Sequence, residues 1–269
     1  MGHEYLEKEK RWEQSDIIDG VVSFKLSSWR YFSDFILSKM LDYSTYVWRG
    51  HRNNNWLLEP TLDRILKKLP AHKRTRRYET HLESFTYAAR GRRGNNPPPM
   101  TNENDWWALG QHNGLVTPLL DWTSSPFVAA FFAFNELGDN QTNYRRVYAV
   151  SRVQIERKSI EIAANHNNDK GRPPNVEFVR PFSDENPRLV NQAGLFSRAP
   201  ANVDIEKWVR KHFRGETEIM YLIKIDIPDN DRVLALRSLN RMNINHLTLF
   251  PDMHGTCNFC NMDLVIDHY

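Results

Sequence analysis

Two short runs carry most of the reactive chemistry in this chain. Gln111-His112-Asn113-Gly114-Leu115 precedes Leu119-Leu120-Asp121-Trp122-Thr123-Ser124-Ser125-Pro126. They bring an imidazole, a carboxylate, an indole and several hydroxyls into one short segment. An apolar run, Phe127 to Phe134, follows directly. Polar groups crowded at the entrance of a buried element usually face a cleft, so the segment is expected to floor a ligand site. His112 has the chemistry of a general base. Asp121 could stabilise a developing positive charge. Arg49, upstream in Thr45-Tyr46-Val47-Trp48-Arg49-Gly50, could grip an anion through two parallel N–H bonds.

Elements must position these groups. Thr45 to Arg49 alternates and is rich in strand formers, with Gly50 as its stop. That places Arg49 at a strand tip. Val116 to Leu120 reads as a strand with Pro118 at an edge or bulge. Ser125 followed by Pro126 is a hydroxyl cap and then a proline at the first helical position. The helix it opens is apolar on every side and must be central. Upstream, Ser27 or Ser28 can cap a helix bearing Trp29, Phe32, Ile36 and Met40. Further helices are expected over Thr61 to Leu69, His72 to Ala89 and Asn102 to Gln111. Arg90 to Met100, with Pro97-Pro98-Pro99, and residues 163–175 read as exposed loops. In the second half, strands are expected over Arg146 to Val153, Val176 to Phe182 and Glu218 to Ile227. Asp231 to Met242 and Gly255 to Ile266 read as helices, with Leu247 to Phe250 as a short extended piece. The mixture is α+β. Residues 1–14 form a polar lead-in and 15–269 a single domain.

Composition bounds the function. The 269 residues are 40% apolar, with 14 Phe, 10 Tyr and 8 Trp, which describes a packed globular protein. A net charge of +3 from 36 basic and 33 acidic residues implies no general affinity for nucleic acid. Two cysteines give no disulfide framework. No apolar run approaches the roughly 20 residues of a membrane span, and the charged N-terminus lacks a signal-peptide pattern. A cytoplasmic protein without membrane contact is the expectation.

Tyr46-Val47-Trp48-Arg49-Gly50-His51 with Trp56-Leu57-Leu58-Glu59-Pro60-Thr61-Leu62 resembles the signature of the FRG domain family. Gln111 to Thr117 and Leu119 to Pro126 resemble its central block. Arg188-Leu189 with Gln192-Ala193-Gly194-Leu195-Phe196, and Ile244 to Asp252, resemble its later blocks. The blocks follow the family's order and span residues 29 to 262. Two departures stand out: Val116-Thr117-Pro118 replaces Pro-Thr-Arg, and His254 stands where an acidic residue is usual. The resemblance implies a remote relation to ADP-ribosyltransferases, hence a split, twisted β-sheet ringed by helices. It implies NAD as substrate, an unknown macromolecular acceptor, and a toxin or antiviral defence role.

On that reading the pyrophosphate would meet the amides at the start of the Pro126 helix. Arg49 and Gly50 would hold phosphate or ribose. Thr123, Ser124 and Ser125 would bind the nicotinamide ribose, and Trp122 would stack on a planar ring. His112, Asp121 or Gln192 would position the acceptor. Glu177, Glu216 and Glu218 are further carboxylate candidates. Each residue also has a structural explanation. Asp121 could cap the next turn or pair with Arg49. Trp122 could be core, and His112 could bond a backbone carbonyl. His254, Cys257, Cys260 and His246 could hold zinc, though core packing accounts for the cysteines, and no metal is expected. Two other functions compete: a non-catalytic sensor of a nucleotide or peptide, and an RNA-binding or RNA-cleaving protein using Arg74, Arg76, Arg77, Arg90, Arg92 and Arg93.

Overall fold

A computed structural model describes residues 10–136, 142–167, 171–181 and 187–269. The strands are β1 (Trp12–Gln14), β2 (Val21–Leu26), β3 (Tyr46–His51), β4 (Leu119–Thr123), β5 (Tyr144–Ser151), β6 (Glu177–Val179), β7 (Gly194–Arg198) and β8 (Leu222–Pro228). The helices are α1 (Phe32–Phe35), α2 (Thr61–Leu66), α3 (Ala71–Ala88), α4 (Glu103–His112), α5 (Pro126–Phe134), α6 (Arg152–Ala164), α7 (Pro187–Asn191), α8 (Ile205–His212), α9 (Arg232–Arg241), α10 (His246–Leu249) and α11 (Met253–Val265). The chain is α+β.

The strands form one open sheet in the order β1-β2-β8-β5-β3-β4-β7-β6. All neighbours are antiparallel except β2 and β8. The sheet is almost divided. β3 pairs with β5 over six residues and β4 with β7 over five, but β3 and β4 share only Trp48 opposite Thr123. Beyond that pair the two strands diverge. Had the ladder continued, Gly50 would have faced Asp121.

α5 covers the seam on one side. Its residues Val128 to Phe131, Ala133 and Phe134 are buried and join Trp48, Val147, Ile225 and Leu236 in the largest core. On the opposite face, Val47, Leu120, Trp122, Ile155, Trp208 and Val209 form a second core under α6 and α8. A third, of Leu62, Leu66, Trp107, Leu119 and Phe196, seats α2 and α4 against the β4–β7 part. Ser125 caps α5 by accepting from Val128 N, as the Ser-Pro start requires. Two guanidiniums close the other end: Arg145 donates to Ala133 O at 2.6 Å and Arg232 to Phe134 O at 2.9 Å. Cations there satisfy orphan carbonyls and oppose the dipole.

Several expectations need correction. Residues Trp12–Gln14 of the lead-in add an edge strand to β2. β3 runs past Gly50 to His51, so Arg49 lies inside the strand and not at its tip. Gly50 does not stop β3. Its hydrogen faces α5, where a Cβ would lie 2.6 Å from Ala133 N and closer still to Ala129 O. The strand expected from Val116 begins at Leu119, after Pro118. Residues 246–249 are helical rather than extended, because Asn245 and Thr248 form a reciprocal cap. Residues 163 and 164 close α6 rather than beginning a loop. Phe182, the last residue of one expected strand, lies outside the described residues. Among the described residues no helix is long and apolar enough to cross a membrane.

Candidate functional site

The divergence of β3 and β4 opens a cavity of about 460 Å³. Its lining draws on both strands and on α2, α4, α5 and α7. Arg49, Gly50, His112, Asp121, Trp122, Thr123 and Gln192 all line it. Residues separated by more than 140 positions therefore meet around one hollow. The size lies within the ordinary range for small-molecule sites.

Asp121 is the centre of a hydrogen-bonded clamp. Gln111, in the last turn of α4, donates through Nε2 to both carboxylate oxygens, at 3.2 and 3.0 Å. Thr117 donates its hydroxyl to Gln111 Oε1 and accepts from Leu119 N at 3.2 Å. That contact fixes which end of the amide faces the carboxylate. Arg49 Nη1 donates to Asp121 O at 2.7 Å and to Oδ2 at 3.4 Å. A guanidinium thus occupies the place left by the missing ladder. The expected Arg49–Asp121 pairing is present, but the carboxylate is not buried: its side chain is 57% exposed, against 22% for Arg49. Nor does Asp121 cap the next turn. Thr123 Oγ1 does that, accepting from Ser125 N at 3.1 Å.

Behind the clamp, Arg49 Nε donates to His51 Nε2 at 3.0 Å. His51 must then carry its proton on Nδ1. Burial first, and the positive charge of Arg49 second, hold its pKa well below the usual histidine value, so it is a neutral acceptor. Desolvation also lowers the Arg49 pKa, opposed by the Asp121 charge.

His112 ends α4, and its side chain makes no hydrogen bond among the described residues. Partial burial lowers its pKa, and the charge of Arg188 lowers it further, with Asp252 opposing. Arg188 itself is held by Asp252, Nε to Oδ2 at 2.7 Å, and lies over the Phe250 ring. Gln192 lines the cavity, yet its amide Nε2 donates to Leu249 O at 3.1 Å, tying the α7–β7 turn to α10.

The structure does not gather every expected residue. Ser124 and Ser125 lie outside the cavity lining. Ser124 N donates to Ala193 O and the Ser125 hydroxyl caps α5. The cavity meets the flank and C-terminal end of α5, at Ala129, Phe132, Asn135 and Glu136, so the helix start offers no anion seat here. Trp122 touches the cavity, but its indole is buried and donates to Ser197 Oγ at 2.7 Å. Thr123 is buried and donates to Gln192 O at 2.7 Å. Glu177, Glu216 and Glu218 are absent from the lining, which carries Glu59 and Glu136 instead. Glu59 pairs with Lys67, and Glu136 with Arg52 at 2.6 Å. Cys257 and Cys260 are both exposed on α11.

Residues 44–142 match the family model of the FRG domain. This chain carries an FRG domain. The matched stretch holds Arg49, Gln111, His112 and Asp121; Arg188 and Gln192 lie beyond it. No curated protein and no solved structure matches the chain.

Sequence reading missed Gln111, His51, Arg64, Arg188 and Trp56 as site residues. Gln111 stood beside His112 in the central block, but its role depends on the last turn of α4 overhanging β4. Trp56 is the indole that the cavity does expose: it is 40% accessible, with Arg52 over its ring at 5.2 Å. An exposed tryptophan at a cavity mouth is more informative than a buried one.

Proposed function

We propose that the FRG domain of this chain binds NAD or a closely related nucleotide in the β3–β4 cavity and cleaves its glycosidic bond. The support is an accessible carboxylate, Asp121, held in place by Gln111 and Arg49 rather than neutralised by burial. Breaking the C1′–N bond sends its electron pair to departing nicotinamide and leaves positive charge on the ribose. A preorganised carboxylate stabilises that charge. The acceptor, water or a nucleophilic side chain, then bonds to C1′ and gives up its proton, for which neutral His112 is the available base. Trp56 replaces Trp122 as the face for a planar ring. The ribose contacts once assigned to Ser124 and Ser125 have no place in this reading.

The engagement of Thr123, Ser124 and Ser125 in the fold favours a second reading, in which the cavity binds a nucleotide without turnover. The RNA reading loses support at Arg74, whose guanidinium donates to Leu69 O at 2.9 Å and Lys67 O at 3.2 Å and so closes the α2 end. Arg76 and Arg77 remain exposed on α3.

The test is release of nicotinamide from NAD by the whole chain, with NAD affinity measured in parallel. Asp121→Asn is expected to lower turnover by about 100-fold or more while affinity changes little. Tight binding with no turnover in the wild type would establish the sensing reading. Absence of any NAD binding would overturn both.

A further inference from the structure

Four arginines line the cavity: Arg49, Arg52, Arg64 and Arg188. Three are matched by carboxylates, Arg49 by Asp121 at 3.4 Å, Arg52 by Glu136 at 2.6 Å and Arg188 by Asp252 at 2.7 Å. The remaining lining carboxylate, Glu59, is matched by Lys67. Arg64 stands apart. Its one side-chain hydrogen bond among the described residues runs from Nη2 to the neutral hydroxyl of Thr61, at 2.9 Å. No carboxylate among them lies within ion-pairing distance. The side chain is exposed.

Arg64 nevertheless acts on the site. It lines the cavity together with Arg49 and His51, whose pKa values are lowered first by burial, with the Arg64 charge a smaller contribution. The cavity therefore presents the guanidiniums of Arg49, on β3, and Arg64, on α2, with Asp121 paired to Arg49 alone. Such a wall has an unmet preference for an anion. A neutral ligand leaves Arg64 as it is; an oxyanion matches it and relieves its repulsion with Arg49.

We infer that Arg64 is the phosphate anchor of this cavity, gripping the diphosphate of the ligand and selecting phosphorylated nucleotides over their nucleosides. The inference rests on the nucleotide reading above and supplies the anion seat that the start of α5 does not. It assigns the diphosphate to the α2 wall, leaving the ribose to Asp121. Because the Arg64 side chain takes part in no core contact, its replacement should leave the fold intact.

The experiment is calorimetric titration of the whole chain with ADP-ribose, NAD and the uncharged-tail analogue nicotinamide riboside. Wild type, Arg64→Gln and Arg64→Lys are compared, with thermal melts confirming that each is folded. Arg64→Gln is expected to weaken ADP-ribose and NAD by about 10- to 100-fold, the effect of one charge-assisted contact. It should leave nicotinamide riboside within about twofold, and Arg64→Lys should restore part of the loss, lysine remaining a point charge for phosphate. Unchanged ADP-ribose affinity in Arg64→Gln would overturn the inference while the nucleotide reading stands. Equal weakening of nicotinamide riboside would mean that Arg64 only shapes the hollow, and would also overturn it. Failure of the wild type to bind any of the three would remove the nucleotide reading and the anchor together.

Discussion

At the scale of single residues, the clamp on Asp121 makes a sharp prediction about Gln111. Its amide touches both carboxylate oxygens and is itself oriented by Thr117. Gln111→Ala should leave NAD affinity nearly intact but lower turnover by about 10- to 100-fold, since a misplaced charge costs rate more than binding. A parallel fall in affinity would argue that Gln111 contacts the ligand directly. His112 gives a second test. Burial and the Arg188 charge lower its pKa, so the neutral form persists to a pH below the usual value of about 6.5. Any step that uses His112 as a base should fail only below that lowered pKa. Arg188→Gln removes the cation and leaves Asp252, so the His112 titration followed by NMR should move upward. A downward or absent shift would contradict the described contacts.

The same residues show how much of the site could be read from the chain. Arg49, His112 and Asp121 were legible because their types were unusual for their places in sequence. The fate of Ser124, Ser125 and Trp122 was not. A Ser-Pro helix start looks like an anion seat, and only the packing of α5 shows that its other end meets the cavity. An indole's burial likewise depends on a partner such as Ser197, far along the chain.

Among elements, α5 and its approach to β3 are the tightest constraint near the site. Gly50 permits backbone contact with Ala129 and Ala133. Gly50→Ala should destabilise the fold by about 1–3 kcal/mol, the usual cost of overpacking, read as a lowered urea midpoint at unchanged m-value. Unchanged stability would mean that α5 sits further from β3 than described. The elements that sequence analysis recognised carry strong local signals: the Ser125-Pro126 start and apolar run of α5, and the alternation of β3. Those it missed lack them. β2 lies between β1 and β8, the latter about 200 residues away. α6 buries only Ile155 and Ser159, so its apolar stripe is thin. β7 is short and gains its identity from Asp121 and its neighbours on β4.

The whole molecule is organised by the seam. One ladder pair joins β4-β7-β6 to the other five strands, so the smaller part should open at a lower free energy. Amides of β4 and β7 are expected to exchange with deuterium before those of β5 and β8; the reverse order would contradict the divided sheet. His51 adds a global pH dependence. Its folded pKa lies well below its unfolded value of about 6.5, so the unfolded chain binds the extra proton. Its contribution to stability is complete above that value and is lost as pH falls from about 6.5 toward the folded pKa. Melting temperature should therefore decline as the solution is acidified from neutrality, less steeply in His51→Gln, and equal slopes would count against a buried neutral imidazole.

The central claim is that the opening between β3 and β4 is a nucleotide site. Electron density from crystals soaked with NAD tests it most directly. The account predicts the dinucleotide in that opening, its diphosphate against Arg64 and its nicotinamide ribose beside Asp121. Density at another surface, or an opening filled by the protein's own side chains, would contradict it.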